Sequence, residues 1–287
     1  MSTDVGVVIL TMGKRPVDLR RAIDSVLAQR DVNVDVVVVG NGWQPTDLPD
    51  TVASLYLPEN MGIPTGRNAG VPLVSGELLF FLDDDAAVPD PNFLASIKGR
   101  FDSDPHLGLI QPRVEDATGI EPPGRWVPRL VVGDRTRPGP ATTLWEGATA
   151  VRREALEAAD GWPDEFFYGH EGIDLVWRVW DAGYTCWYAA DLVVHHPVIN
   201  PLRHEEFYRM NARNRVWLAK RNLPVVLEPV YVGSWIALTV ARVRDKNALR
   251  AWFAGLREGI ESDPGNRRPM TWRTVWALSK AGRPPVI

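Results

Sequence analysis

The sequence predicts an α/β fold: a mostly parallel central sheet with helices on both faces, followed by a helical C-terminal extension. Three observations predict it. Short apolar runs recur at Val5 to Leu10, Asp35 to Val39 and Leu78 to Leu82, and each reads as a buried strand. Segments with helical spacing separate them, such as Leu19, Ile23, Val26 and Leu27. Strands alternating with helices imply a mostly parallel sheet. From about Glu205 the pattern is helical to near the C-terminus. The expected division is therefore an α/β domain over residues 1–204 and a helical extension over 205–287.

The elements follow in order. Val5 to Leu10 is the first strand, and Val17 to Gln29 the first helix. Asp35 to Val39 is the second strand, ended by the turn signal Gly40-Asn41-Gly42. Thr51 to Leu57 is a third strand, and Asn60 to Gly70 passes from loop into helix. Leu78 to Leu82 is the fourth strand, Pro91 to Phe101 a helix, and Gly108 to Pro112 another strand. Glu115 to Thr143 is rich in Pro, Gly and Arg and reads as a long loop or lid. Order resumes at Ala148 to Arg153. Ile173 to Ala182 is a helix with Ile173, Val176, Trp177 and Trp180 on one stripe, and Leu192 to Val194 a short strand.

At 287 residues the chain can bury a full core. A net charge of −4 argues against general nucleic-acid binding. The lone cysteine, Cys186, allows no intramolecular disulfide framework and no cysteine zinc site, which fits a reducing cytoplasm. Met1-Ser2-Thr3-Asp4 leads straight into a strand with no basic n-region, so secretion is not expected. The apolar stretch from Val230 to Val243 is interrupted by Arg242 and is short for a bilayer span. Twelve tryptophans, most of them beyond Asp174, give the second half a large aromatic surface.

Asp83-Asp84-Asp85 follows directly on the fourth strand. Carboxylates there sit at the carboxyl edge of the sheet, where open α/β sheets bind ligands. Three adjacent negative charges repel, and a hard divalent cation is their natural counter-charge; a solvated acidic turn is the plainer alternative. In Asn60 to Gly70 the glycines permit close backbone approach, and Arg67 near a helix start can meet phosphate; an ordinary loop and cap is the alternative. Glu146-Gly147-Ala148 and Gly161 to Leu175 pack acids, glycines and aromatics before a helix. Glu171 and Asp174 lie three apart at its start and can share a face, either as caps or as lining of a cleft. His195-His196 ends a strand, as a nitrogen ligand beside the carboxylates or as a structural pair.

In this order the segments resemble an inverting family 2 glycosyltransferase with the GT-A fold, of the bacterial rhamnosyltransferase-like kind. Val8 to Thr11 through Ser25 to Gln29 resembles the family's first strand and helix, and Asn60 to Gly70 its nucleotide-binding loop. Leu82-Asp83-Asp84-Asp85 resembles its acidic metal motif. Glu171-Gly172-Ile173-Asp174-Leu175, with Trp177-Arg178 and Ala182-Gly183-Tyr184, resembles the helix that carries its catalytic base. His196 falls where the family often has a metal-binding histidine, and Arg213-Asn214-Arg215 with the tail from Gly282 resembles its C-terminal part.

The resemblance implies a nucleotide diphospho-sugar donor and a divalent metal, Mn²⁺ or Mg²⁺. It implies Asp85, Asp83 and His196 as metal ligands, and Thr11, Arg15, Asn41, Asn60, Gly62, Arg67, Asp83 and Asp84 as donor contacts. Two departures bear on it. The second strand ends in Gly40-Asn41 where the family has Asp-Asn, and Gly172 replaces the family's catalytic aspartate. The base then falls to Glu171, with Asp174 next, and aromatic neighbours Trp162, Phe167 and Tyr168 would raise its pKa. The acceptor is a small molecule, a glycan or a lipid-linked species. Trp126, Trp145 and Trp162 are candidates for stacking on it, and the basic, Trp-bearing tail for peripheral contact with an anionic membrane surface. Two rivals remain. A sugar-phosphate nucleotidyltransferase would carry a Gly-rich loop after the first strand, where Thr11 to Pro16 has one glycine. A catalytically silent sugar-nucleotide-binding protein would account for Gly172.

Overall fold

The strands owe their burial to alternation. In β1 (Val5–Thr11) every residue is buried. Val5, Val7 and Ile9 face one side with α1 (Pro16–Leu27), while Val8 and Leu10 face the other. A strand covered on both faces reads as a continuous apolar run, and each fully buried Val, Leu or Phe contributes roughly 1.5–3 kcal/mol. The computed structural model describes residues 3–198 and 205–287. Met1, Ser2 and the expected boundary at residue 204 lie outside the described residues.

β2 (Val34–Asn41), β3 (Val52–Leu57) and β4 (Leu78–Asp83) join β1 in parallel, and α2 (Ile63–Gly70) crosses between them. β5 (Leu107–Glu115) pairs parallel with β8 (Thr185–His195). β7 (Ala148–Arg152) runs antiparallel between β4 and β5, and β6 (Gly139–Pro140) edges β8. The order is β3-β2-β1-β4-β7-β5-β8-β6. α1 and α3 (Phe93–Ser103) cover one face through Leu19, Ile23, Phe93 and Ile97. α4 (Arg153–Ala158) and α5 (Glu171–Asp181) cover the other through Leu156, Leu175 and Val176. This is the predicted mostly parallel α/β sheet.

Two expectations need correction. The last strand is not the short Leu192 to Val194 but eleven residues long. Its pairing with β5 jumps from Pro112↔Ala189 to Arg113↔Val193, so a bulge absorbs Ala190 to Leu192 and breaks the alternation that marks a strand. The stretch Glu115 to Thr143 is also not structureless: Gly139–Pro140 adds an edge strand.

The extension contains α6 (Glu205–Asn222), α7 (Glu228–Arg242), α8 (Lys246–Glu261) and α9 (Trp272–Lys280). α6 docks on α5 through buried charge. Asp174, fully buried, accepts from Arg221 Nε at 3.2 Å and Asn222 Nδ2 at 2.6 Å, and faces Arg178 Nε at 3.0 Å. The Arg213-Asn214-Arg215 segment is structural in the same way. Asn214 Nδ2 donates to the carbonyls of Phe166, Tyr168 and Gly169, fixing the loop that enters α5, and Arg215 stacks 3.3 Å from the Trp235 ring centroid. Among the described residues no helix is long and apolar enough to cross a membrane.

Candidate active site at the carboxyl edge of the sheet

The parallel register brings the ends of β1, β2 and β4 together: Leu10 pairs with Asp83 and Thr11 with Gly40. The chain turns sharply after β4, with Ala86 N donating to Asp83 O at 3.1 Å. Ala87 then bridges His195, 2.9 and 2.8 Å for the two backbone bonds. That bridge carries the end of β8 to the acidic turn. His196 Nε2 consequently lies 3.1 Å from Asp85 Oδ1. One oxygen each from Asp83 and Asp85 and a nitrogen from His196 lie within 4.8 Å of one another. Burial lowers the His196 pKa, and the rings of Trp126 and Trp145 pack against it at 5.3 and 5.0 Å. A neutral imidazole beside two carboxylates is a donor set that suits Mn²⁺ or Mg²⁺, so these residues fit the implied metal.

The other expected donor residues surround this group. Asp84 turns inward and accepts from Thr11 Oγ1 at 2.6 Å, and burial raises its pKa. Arg15 pairs with Asp85 and reaches Asp84 at 3.4 Å. Its side chain is 45% exposed. Asn41 Nδ2 donates to Asn60 Oδ1 at 2.9 Å and to the Gly62 carbonyl at 3.1 Å, and its Oδ1 accepts from Met61 N at 2.8 Å. Thr11, Arg15, Asn41, Asn60, Gly62, Asp83, Asp84 and Asp85 line one cavity of about 290 Å³.

Three expected roles come out differently. Arg67 is not presented to a phosphate: it is 1% exposed. It donates to Asp83 Oδ1 at 2.8 Å and to the Glu146 carbonyl at 2.9 Å while stacking over Trp162 at 4.7 Å. It is a clamp on Asp83, one of the three residues that could hold a metal. Trp162, 1% exposed, is core against Phe81 and not an acceptor platform. Asp174 does not share the cleft with Glu171, because its oxygens face Arg178, Arg221 and Asn222.

Gly40 has a steric reason for departing from the family. A Cβ there would lie 1.9 Å from the Trp43 carbonyl oxygen and 2.7 Å from Pro45 Cδ. Gly40→Asp is expected to destabilise the fold by about 1–3 kcal/mol or more, seen as a lower melting temperature with no gain in nucleotide affinity.

A second cavity, about 700 Å³, adjoins the first and shares Asp83, Ile63 and Tyr168 with it. Glu146 and Glu171 lie on its inner wall; Trp126, Trp145, Tyr168 and, from the extension, Arg215, Trp235 and Trp252 complete it. Glu171 is 2% exposed, and its Oε2 is buried with no hydrogen-bond partner. Burial raises its pKa. Glu146 Oε1 accepts from Gly172 N at 3.1 Å. In the sequence Glu146 stands out only as one acid of the turn-rich segments before α5, with no role of its own; the missing carboxylate at Gly172 was the signal for one.

A cavity beside an acidic group that could hold a metal, and a carboxylate-lined cleft adjoining it at one sheet edge, are the makings of a glycosyltransferase-type site. The chain belongs to glycosyl transferase family 2, whose sequence model matches residues 7–159. It is 27% identical over 253 residues to the "Pre-mycofactocin glycosyltransferase" of Mycobacterium tuberculosis, in the CDC 1551 / Oshkosh and H37Rv strains. That match covers 81% of this chain and 52% of the relative, so the chain spans about half the length of the curated relatives it matches. Among solved structures, TarS 1-349 of S. aureus superposes with a TM-score of 0.64 at 14% identity, over 99% of this chain and 88% of that one. A mannosyltransferase of Pyrobaculum calidifontis, solved with GDP-Man and Mn²⁺, gives 0.57 at 19% identity, over 98% and 86%. GalNAc-T7, solved with UDP, GalNAc and Mn²⁺, gives 0.64 at 15%, over 91% and 55%. At such identities the likeness shows the fold, GT-A.

Proposed function

We propose that this protein is an inverting, metal-dependent glycosyltransferase that moves a sugar from a nucleotide diphospho-sugar to an acceptor hydroxyl. The observation that carries the reading is the Asp83, Asp85 and His196 group, whose Asp83 lines both the first cavity and the carboxylate-lined cleft. Asp83, Asp85 and His196 would hold the divalent ion, which when bound would neutralise charge developing on the leaving diphosphate. Arg67 holds Asp83 in place for that task. Arg15 releases the carboxylates and turns to the phosphates. Thr11 keeps Asp84 turned inward, and Asn41 holds the Asn60 to Gly62 loop against the donor. The acceptor enters the second cavity, and a carboxylate there removes its proton as it attacks the anomeric carbon from the opposite face. The base is Glu171 or its neighbour Glu146; Asp174 is occupied elsewhere.

The aromatic wall of Trp126, Trp145, Tyr168 and Trp235 suits a sugar or a flat aglycone. Acceptors from cell-envelope glycan or natural-product biosynthesis fit, and a scaffold of the kind named by the M. tuberculosis relatives is the first to try. A reducing cytoplasm suits Cys186, which is buried and unpaired. Trp272 and Trp276, 53% and 66% exposed on α9, are the surface with which the extension would meet a membrane.

The test is donor consumption by purified protein across UDP-, dTDP- and GDP-sugars. Stripping with EDTA is expected to abolish it, and Mn²⁺ or Mg²⁺ to restore it. Undiminished transfer without a divalent ion would remove the metal from the mechanism. Tight donor binding with no turnover would favour a silent binding protein.

A further inference from the structure

Gly172 stands where the family's helix carries an aspartate, and the space beside it is taken. An ideal Cβ on Gly172 would lie 2.5 Å from Glu146 Oε1, 2.7 Å from its Cγ and 2.8 Å from its Cδ. Glu146 comes from the loop before β7, 26 residues earlier. It thus delivers a carboxylate into the volume that a side chain at position 172 would fill. Its position is built. The Gly172 N–H at the start of α5 donates to Oε1 at 3.1 Å, and the buried guanidinium of Arg67 holds the Glu146 carbonyl at 2.9 Å. Beside it Glu171 is almost fully buried, with Oε2 lacking any partner. Glu146 and Glu171 both line the second cavity, and of the two it is the Glu146 carboxylate that takes the place of a side chain at position 172.

We propose that Glu146 is the catalytic base, its carboxylate replacing the one Gly172 lacks, with Glu171 as a positioning residue beside it. This rests on the glycosyl-transfer reading above. In the step, the acceptor oxygen forms a bond to the anomeric carbon. The bond from that carbon to the diphosphate oxygen breaks, and its electron pair leaves with the diphosphate. The hydroxyl proton passes to a Glu146 carboxylate oxygen and then to water. Burial, and next the charge of Glu171, push the Glu146 carboxyl up to about 8, a proton affinity that suits a base working near neutral pH. A carboxylate at a helix N-terminus also acts as a cap. Glutamine keeps the accepting oxygen and loses only the base, so it separates the two roles.

The experiment uses the full chain with Mn²⁺, the nucleotide sugar that wild type consumes fastest, and water as acceptor. Glu146→Gln is expected to slow donor consumption on the order of 10²–10⁴-fold, with melting temperature and the thermal shift given by nucleoside diphosphate plus Mn²⁺ unchanged. Azide attacks without losing a proton, so it is expected to restore donor consumption in Glu146→Gln. Glu146→Ala combined with Gly172→Asp empties the space and places a carboxylate in it, and is expected to recover turnover that Glu146→Ala alone lacks. The double variant decides the matter even where Glu146→Gln folds poorly. Glu146→Gln within a few-fold of wild type, or a loss confined to Glu171→Gln, would overturn the assignment while leaving glycosyl transfer standing. A wild-type protein that neither consumes donor nor binds nucleoside diphosphate would overturn both.

Discussion

Asp85→Asn is expected to cut donor turnover roughly 100-fold or more while leaving the fold intact. The magnitude follows from what is lost. Even groups that only orient metal ligands are worth about 10–100-fold, and Asp85 offers an oxygen of the ligand group itself. The side chain is 3% exposed and lies beside His196 and Arg15, so an amide of the same shape fills the same space. It keeps an oxygen but not the charge that holds a divalent ion. One negative charge also leaves a crowded run, so the metal-free protein has no electrostatic reason to unfold. The expected pattern is therefore loss of Mn²⁺-dependent turnover with a wild-type melting temperature. Asp84→Asn is expected to act more mildly, because Asp84 is bound to Thr11 and is not one of the three residues of the ligand group.

Asp174→Ala is expected to damage stability and not chemistry. Removing it leaves Arg178 and Arg221, 6% and 2% exposed, without their shared counter-charge. Breaking a buried pair in this way costs about 3–5 kcal/mol. For a chain of this size that is a fall in melting temperature on the order of 10 °C. The site joins α5 to α6, and so joins the helix bearing Glu171 to the extension that walls the cleft. Asp174→Asn keeps an oxygen for Asn222 and is expected to lose less. Well below its melting point it should turn over donor within a few-fold of wild type. A collapse of turnover in well-folded Asp174→Asn would instead return Asp174 to the chemistry.

The difference between Asp174 and Glu171 shows where sequence reading reaches its limit. Both are acids in the first turn of one helix, and their spacing allowed a shared face. Which face met the cleft depended on Arg221 and Asn222, 47 and 48 residues away. The sheet was readable because its central strands are covered on both faces, so apolar runs mark them directly. β8 escaped because a bulge at Ala190 to Leu192 interrupts its alternation. The metal group was readable in its residue types, while its geometry depends on the Ala87–His195 bridge. Arg67 had the right charge for a phosphate, but charge does not say which carboxylate will take it. Glu146 was visible as an acid, but its role was not, because its relation to Gly172 exists only in three dimensions.

Asp83, Asp85 and His196 at the end of the central strands would build a metal–diphosphate site. Calorimetric titration of UDP and GDP into the protein, with and without Mn²⁺, tests it most directly. One nucleoside diphosphate is expected to bind per chain, with affinity that depends on Mn²⁺ and is lost in Asp85→Asn. Equal affinity with and without the ion, or Mn²⁺-dependent binding that survives Asp85→Asn unchanged, would contradict it.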